Sequence, residues 1–176
     1  MISRKESLII AIGGGGCNVA ATVKAQGIES ARFVFLDTEP DDLGNHSGAG
    51  EAVLLQGTEA ELLETINRLF VSDVDKVVIM TCLGGNTGSR FAQVAIRLAK
   101  AAGKNPACIV TRPFDFEGGG CKKLAESALA EIRTYASEVY VIDNNDLKTK
   151  YPDMNLLDAF SKVDAQVAEV LQNMLV

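Results

Sequence analysis

The run LIIAIGGGGCN at residues 8–18 limits what this chain can become more than any other stretch. Five apolar residues lead into four glycines, and a segment with helical character follows. A continuous apolar run of that length reads as a strand buried on both faces. Glycine accepts backbone angles that a Cβ forbids and lets a ligand close on main-chain N–H groups. A helix starting near Asn18 would aim its positive end at the same spot. Strand, glycine loop and helix start together make a seat for a phosphate. The plain alternative is a tight turn, but one or two glycines suffice for that.

The chain has 176 residues, enough for one domain with a sizeable core, and 47% of them are hydrophobic. Its formal net charge of −6 tells against a nucleic-acid surface. No apolar span is long enough for a membrane helix. The apolar run after the polar start leads straight into the glycines, so it reads as a first strand rather than a signal peptide, and a cytoplasmic location is expected. Four cysteines, Cys17, Cys82, Cys108 and Cys121, form no CxxC pair and are expected to be reduced thiols. Three of them fall in or beside glycine-rich loops, which leaves a thiol cluster as the minor alternative.

Strands are expected at residues 8–12, 32–36, 76–80, 106–110 and 138–142, with a short edge strand at 52–55. Helices are expected at 18–26, 58–70, 91–102, 122–136 and 156–175. Thr58 and Glu61 have capping-box spacing, Gly27 and Gly103 sit as helix stops, and Asn155 is a candidate N-cap. The polar stretch 38–50 holds His46, the only histidine, which reads as an ordinary loop residue. Strands alternating with helices mean parallel pairing through right-handed crossovers. The expected fold is a Rossmann-like doubly wound α/β sheet, mainly parallel, with helices on both faces. Residues 1–176 are expected to form one domain. Every unusual feature then falls beyond the carboxyl ends of the strands, where such sheets bind ligands.

A second glycine loop, TCLGGNTGS at residues 81–89, follows the central strand. Two glycine loops on neighbouring strands suggest a polyphosphate held from two sides. Neither loop contains a lysine, and no G-x-x-x-x-G-K-[ST] is present. Backbone N–H groups, helix dipoles and a bound Mg2+ would have to meet the phosphate charge. The strict dinucleotide pattern G-x-G-x-x-G is also absent. Asp37 stands where a ribose-binding acid would, so a dinucleotide-dependent oxidoreductase stays open as a lesser alternative.

The motifs GGGGCN at 13–18, LGGNTGS at 83–89, TRPFDFEG at 111–118 and LLDAF at 156–160 resemble, in order and spacing, those of the FtsZ family of bacterial cell-division GTPases. They resemble the wider tubulin superfamily more distantly. The resemblance implies a guanine nucleotide, GTP or GDP, as ligand. It implies that Gly14, Gly15 and Gly16 contact phosphates and that Asn18 lies beside the nucleotide. Gly84, Gly85, Thr87 and Gly88 would cradle phosphates from the second loop. Glu117 would bind the ribose, Asn144 would hydrogen-bond the guanine, and Phe160 would stack on it. Asp164 would accept from the N1 and N2 hydrogens of guanine. Phe160 and Asp164 are four apart and share a helix face, and a carboxylate acceptor selects guanine over adenine. The plain readings are a core position for Phe160, a solvated face residue for Asp164 and a helix-start charge for Glu117.

The sequence departs from the family pattern at several points. Asn86 and Arg90 replace glycines of the second loop, Cys17 replaces one of the first, and Cys121 stands where a basic residue is usual. The second strand ends in Asp37-Thr-Glu39 rather than Asn-Thr-Asp, and residues 44–57 are short for a loop that senses the third phosphate. In the family the last helix leads to an acidic loop that positions the attacking water on a neighbouring subunit's nucleotide, and then to a second domain. The 176 residues hold no counterpart of either. The expectation is a nucleotide-binding domain with weak or no GTP hydrolysis alone, no catalytic residue of its own, and a role in regulating or capping a tubulin-like filament. Its partners would be itself or an FtsZ-like protein. A degenerate interaction module without nucleotide binding is the alternative.

Overall fold

The computed structural model describes residues 6–28 and 30–176. Six strands, β1 (Glu6–Ile12), β2 (Ala31–Asp37), β3 (Glu51–Leu54), β4 (Val74–Cys82), β5 (Pro106–Arg112) and β6 (Glu138–Asp143), form one sheet. Every pairing is parallel, and the order is β3-β2-β1-β4-β5-β6. The order reverses direction between β1 and β4, which makes their carboxyl ends the switch point where ligands bind in such sheets.

Among the described residues five α-helices connect the strands, α1 (Gly13–Ala25), α2 (Pro40–Gly44), α3 (Glu59–Asn67), α4 (Asn86–Ala101) and α5 (Gly119–Tyr135), and two follow β6, α6 (Asn144–Lys150) and α7 (Leu156–Leu175). Alternation along β1 sorts the core into two layers. Leu8, Ile10 and Ile12 pack on one face beneath α3, α4 and α5. Ile9 and Ala11 pack on the other beneath α1 and α7. Central strands covered on both sides explain the unbroken apolar runs in the sequence.

The expected strands are all present and somewhat longer than their apolar runs. The helix starts differ more. The four glycines are not a loop: α1 begins at Gly13, five residues before the expected Asn18. Likewise α4 begins at Asn86 rather than at residue 91, and α5 at Gly119 rather than at 122. Glycine, asparagine and threonine have weak helix propensity, but close packing against β4 holds the first turns of α1 and α4 in place. Thr58 and Glu61 do form a capping box. Asn155 caps α7 by accepting from the Asp158 N–H at 2.9 Å. Two short helices, α2 and α6, were not expected. Pro40 at the first position with Asp41 and Asp42 behind it starts α2, and Asp143 caps α6. His46 is a packing residue: its ring stacks on Phe35 with centroids 5.5 Å apart.

On α7 only part of the apolar pattern is core. Ala159, Val163, Val167, Ala168 and Leu171 are buried, while Leu156, Leu157 and Phe160 stay exposed. At the other end, the Lys76 ammonium donates to the Met174 carbonyl at 2.6 Å and ties the last turn of α7 to β4.

Candidate functional site

At the switch point the first turns of α1 and α4 lie side by side. A Cβ added to Gly13, whose φ is +80°, would stand 3.1 Å from the Gly88 nitrogen. One added to Gly16 would stand 3.0 Å from the Met80 carbonyl oxygen and the Thr81 Cα. One added to Gly88 would fall 2.3 Å from Thr81 Oγ1, which donates to the Ile12 carbonyl at 2.9 Å. These glycines are therefore demanded by packing as well as by any ligand. Two helix N-termini brought this close present their free N–H groups and positive dipole ends together.

Of the residues implied by the resemblance, Gly14, Gly15 and Gly16 occupy the first turn of α1, with Gly15 exposed and Gly16 buried. Asn18 is exposed one turn later. Gly84 has φ +107°, and its N–H donates to the buried Ser89 hydroxyl at 3.0 Å. Gly85 is exposed at the N-cap of α4, and Gly88 is buried behind it. The Thr87 hydroxyl lies 3.0 Å from that of Thr38.

Thr38 was not among the expected site residues, and Asp37 entered only as a ribose-binding acid in the dinucleotide alternative. Asp37 is almost fully buried at the end of β2. Its Oδ1 accepts from the Thr38 N–H at 2.7 Å and the Glu39 N–H at 3.3 Å, which sets the path of the chain. Its Oδ2 is buried with no hydrogen-bond partner among the described residues. That oxygen and Asp42 Oδ2 are the two atoms nearest the place of a Gly14 Cβ, at 3.9 and 3.5 Å. A buried carboxylate oxygen without a donor is costly unless something else meets it. The signal in the sequence was Asp37-Thr-Glu39 at a strand end, but only the strand order puts it beside the α1 glycines.

The other half of the edge is made of side chains from β5, β6, α6 and α7. Asn144, the first residue of α6, is buried, and its Oδ1 also lacks a partner among the described residues. Phe160 is 44% exposed, so it is not the core residue its spacing allowed; it meets Phe114 edge to face, with centroids 6.1 Å apart. Phe114 stacks in turn on the exposed Phe116 at 4.8 Å. Asp164 is half-buried, and burial raises its carboxyl above the usual range. Glu117 is exposed, and its Oε2 accepts from the Phe114 N–H at 2.6 Å, closing the turn that carries both phenylalanines.

The cysteines divide. The Cys17 thiol faces away from the glycine turns, donating to the Ala11 and Leu36 carbonyls at 3.6 and 3.7 Å. Burial, and then the Asp37 charge, push it up to about 12. Cys82 faces the Gly15 position, and burial raises its thiol, with Asp164 and Glu117 adding to the rise. The two carboxylates and the thiol thus share one electrostatic neighbourhood below the α1 turn. Among the described residues all four thiols are free, and no group of three or more His, Cys, Asp or Glu side chains could hold a metal. Arg90 does not enter the glycine turns. Its guanidinium lies over the Phe91 ring, 4.9 Å from the centroid. Among the described residues no helix is long and apolar enough to cross a membrane.

Comparison with known proteins fits this geometry. Residues 46–152 match the family model for the Tubulin/FtsZ family, GTPase domain. Cell division protein FtsZ 1 of Archaeoglobus fulgidus is 33% identical in an alignment 172 positions long that covers 89% of this chain and 46% of that protein. The FtsZ of Mycoplasmopsis pulmonis is 28% identical over 89% of this chain and 44% of its own length. The chain therefore spans less than half the length of these curated relatives. An FtsZ W319Y mutant from M. jannaschii superposes with a TM-score of 0.84 at 26% identity, covering 98% of this chain and 56% of that one. CetZ2 from Haloferax volcanii, in a GTPγS-bound protofilament, shares the fold at a TM-score of 0.78, covering 97% of this chain and 58% of that one at 17% identity. With the family model matched over more than half of its residues, this chain belongs to the Tubulin/FtsZ family and carries the fold of that family's GTPase domain.

Proposed function

We propose that the carboxyl edge of the sheet binds GTP or GDP, and that residues 1–176 act as one nucleotide-binding domain. One observation carries the reading: a buried acceptor without a donor among the described residues stands on either side of the same switch point, Asn144 Oδ1 and Asp37 Oδ2, with two glycine-rich helix starts between them. The base would lie at the β6 end, stacked on the exposed Phe160 ring. There Asn144 Oδ1 would accept a hydrogen from guanine, and Asp164 would accept from N1 and N2. Adenine offers no hydrogen at its N1, so the carboxylate sets the preference. Glu117 would meet the ribose with its free oxygen. Gly14, Gly15 and Gly16, Asn18, and Gly84, Gly85, Thr87 and Gly88 would surround the phosphates. CetZ2, which shares this fold, is solved as a protofilament with GTPγS bound.

A Mg2+ ion fits the β2 end. The Asp37 and Asp42 carboxylates both lie against the first turn of α1, and the unpartnered Asp37 oxygen is a hard donor of the kind Mg2+ takes. The ion would supply charge neutralisation between those carboxylates and the phosphates, which would otherwise repel. Asp37 and its backbone hydrogen bonds would then orient Thr38, whose hydroxyl with that of Thr87 would face the phosphates.

Hydrolysis by these residues alone is proposed to be slow, because positioning and charge stabilisation fail when part of the constellation comes from elsewhere. A neighbouring FtsZ-like subunit that brings the acidic loop would act on the bound nucleotide, which suits a regulating or capping role. The reading as an interaction module without nucleotide rested on Cys17, Asn86, Arg90 and the short loop at residues 44–57. Cys17 faces the sheet and Arg90 faces α3, so neither blocks the seat. Calorimetric titration with GTP, GDP and ATP, with and without Mg2+, tests the proposal. Guanine-selective binding is expected. No binding of any nucleotide at millimolar concentration would overturn it.

A further inference from the structure

The outer surface of α3, α4 and α5 carries a groove of about 250 Å³ that nucleotide binding leaves unused. Leu62 and Phe91 form its buried floor, and Leu63, Val94 and Leu124 its walls, with Leu63 38% exposed. Glu59, the first residue of α3, stands on one rim, and Arg90 of α4 on the other. Both are exposed, and neither has an oppositely charged partner among the described residues. The Arg90 guanidinium lies over the Phe91 ring. At the far end Arg97 lies 3.8 Å from Glu131.

The rim therefore offers, among the described residues, an unpaired cation at Arg90 and an unpaired anion at Glu59 across an apolar floor. An acidic peptide would satisfy Arg90 and be repelled by Glu59, and a basic peptide would do the reverse. A surface that carries the same pair satisfies both when turned about a two-fold axis. Arg90 of each copy then meets Glu59 of the other, and the exposed Leu63 side chains pack together on the axis. This is the isologous geometry of a closed dimer, in which each contact occurs twice. We propose that the α3–α4 groove is a two-fold interface between copies of this chain.

Charge reversal tests it, with self-association measured by sedimentation across a concentration series. The series is run without nucleotide and Mg2+, so that contacts through the nucleotide edge do not contribute. The unsubstituted chain is expected to dimerise. Arg90→Glu and Glu59→Arg are each expected to weaken the dimer at least about tenfold, because like charges then face each other twice. The double variant E59R/R90E exchanges the two signs and is expected to restore the dimer, while Leu63→Ser weakens it without rescue. All three positions of change are on the surface, and circular dichroism confirms that each variant is folded. A chain that stays monomeric throughout the series overturns the proposal. So does a dimer indifferent to Arg90→Glu, or one that the double variant fails to restore.

Discussion

The two halves of the carboxyl edge are built from different material. Around β1 and β4 the site is backbone: glycines so tightly set against neighbouring main chain that a Cβ on Gly16 or Gly88 has no room. Around β5, β6 and α7 it is side chain: an exposed ring at Phe160, an unpartnered amide oxygen on Asn144 and a half-buried carboxyl on Asp164. A backbone seat is fixed by the fold and reads only charge and shape. A side-chain seat can be changed without disturbing the fold and reads chemical identity. The same division separates phosphate from base in the proposed binding mode, so substitutions in the two halves should fail in different ways.

The largest effect is expected at Gly88. In Gly88→Ala the new methyl meets Thr81 Oγ1, the Cys82 carbonyl and the Ile12 carbonyl, at 2.3, 3.1 and 3.4 Å. Two of these are main chain at the switch point and cannot swing away. A loss of about 3 kcal/mol is expected, at the upper end for overpacking, together with loss of nucleotide binding. Urea denaturation gives the first and calorimetry the second. A stable Gly88→Ala chain would mean that α4 is not pinned to β1 in this way.

The side-chain half should lose selectivity while the fold survives. Asp164→Asn replaces a carboxylate, which only accepts, with an amide that also donates. GTP affinity is expected to fall about tenfold or more, the range of a hydrogen bond to a charged group, while ATP affinity changes little. Competition between the two nucleotides reads this directly. Equal loss for both would show that Asp164 supports the pocket rather than reading the base.

Gly14 separates ligand from packing within the backbone half. A Cβ there meets only Asp42 Oδ2 at 3.5 Å and Asp37 Oδ2 at 3.9 Å, which are ordinary contacts, and its φ is not positive. Alanine is a better helix former than glycine, so Gly14→Ala is expected to leave stability unchanged or raise it by about 0.5 kcal/mol. The same methyl would stand between the N–H groups and a phosphate, and nucleotide affinity should drop severalfold. A variant that is stabilised and binds as before would remove the first turn of α1 from the phosphate seat.

The sheet was legible in the sequence because parallel strands covered on both faces appear as unbroken apolar runs, as at residues 8–12 and 76–80. The start of α7 was legible because Asn155 caps it locally. The starts of α1 and α4 were not, since Gly13–Gly16 and Asn86–Ser89 look like loop by propensity and become helix through close packing that periodicity does not show, Gly16 on Met80 and Thr81 and Gly88 on Thr81, Cys82 and Ile12. The helices α2 and α6 did carry local signals, Pro40 followed by two aspartates and the Asp143 cap, within stretches whose polarity read as loop. Residues 37–39 were compared with the family's Asn-Thr-Asp for the two positions that differ, so Thr38, the one that agrees, was passed over. Its place beside Thr87 follows from strand order, which periodicity does not encode.

The smallest expected effect concerns what the side-chain half costs the empty protein. Burial raises the Asp164 carboxyl above its usual range, so its ionised form is held less well in the folded chain than in the unfolded one. A raised acid favours the protonated native state, and ionisation therefore subtracts stability. That penalty is complete at neutral pH and fades as pH falls through the raised folded value toward the ordinary aspartate range, where both states are protonated. Asp164→Asn carries no such charge. Without nucleotide, its melting temperature should slightly exceed that of the unsubstituted chain at pH 7, and the difference should shrink on acidification. Saturating GTP should reverse the order at pH 7, because only the carboxylate gains the guanine hydrogens and binding stabilises the state that binds. Thermal melts at two pH values, each with and without GTP, measure both. An asparagine variant no more stable than the parent at pH 7 would mean that solvent, not protein, meets the Asp164 charge. The side-chain half would then stand as open and as well solvated as any surface, with no affinity stored in it before the base arrives.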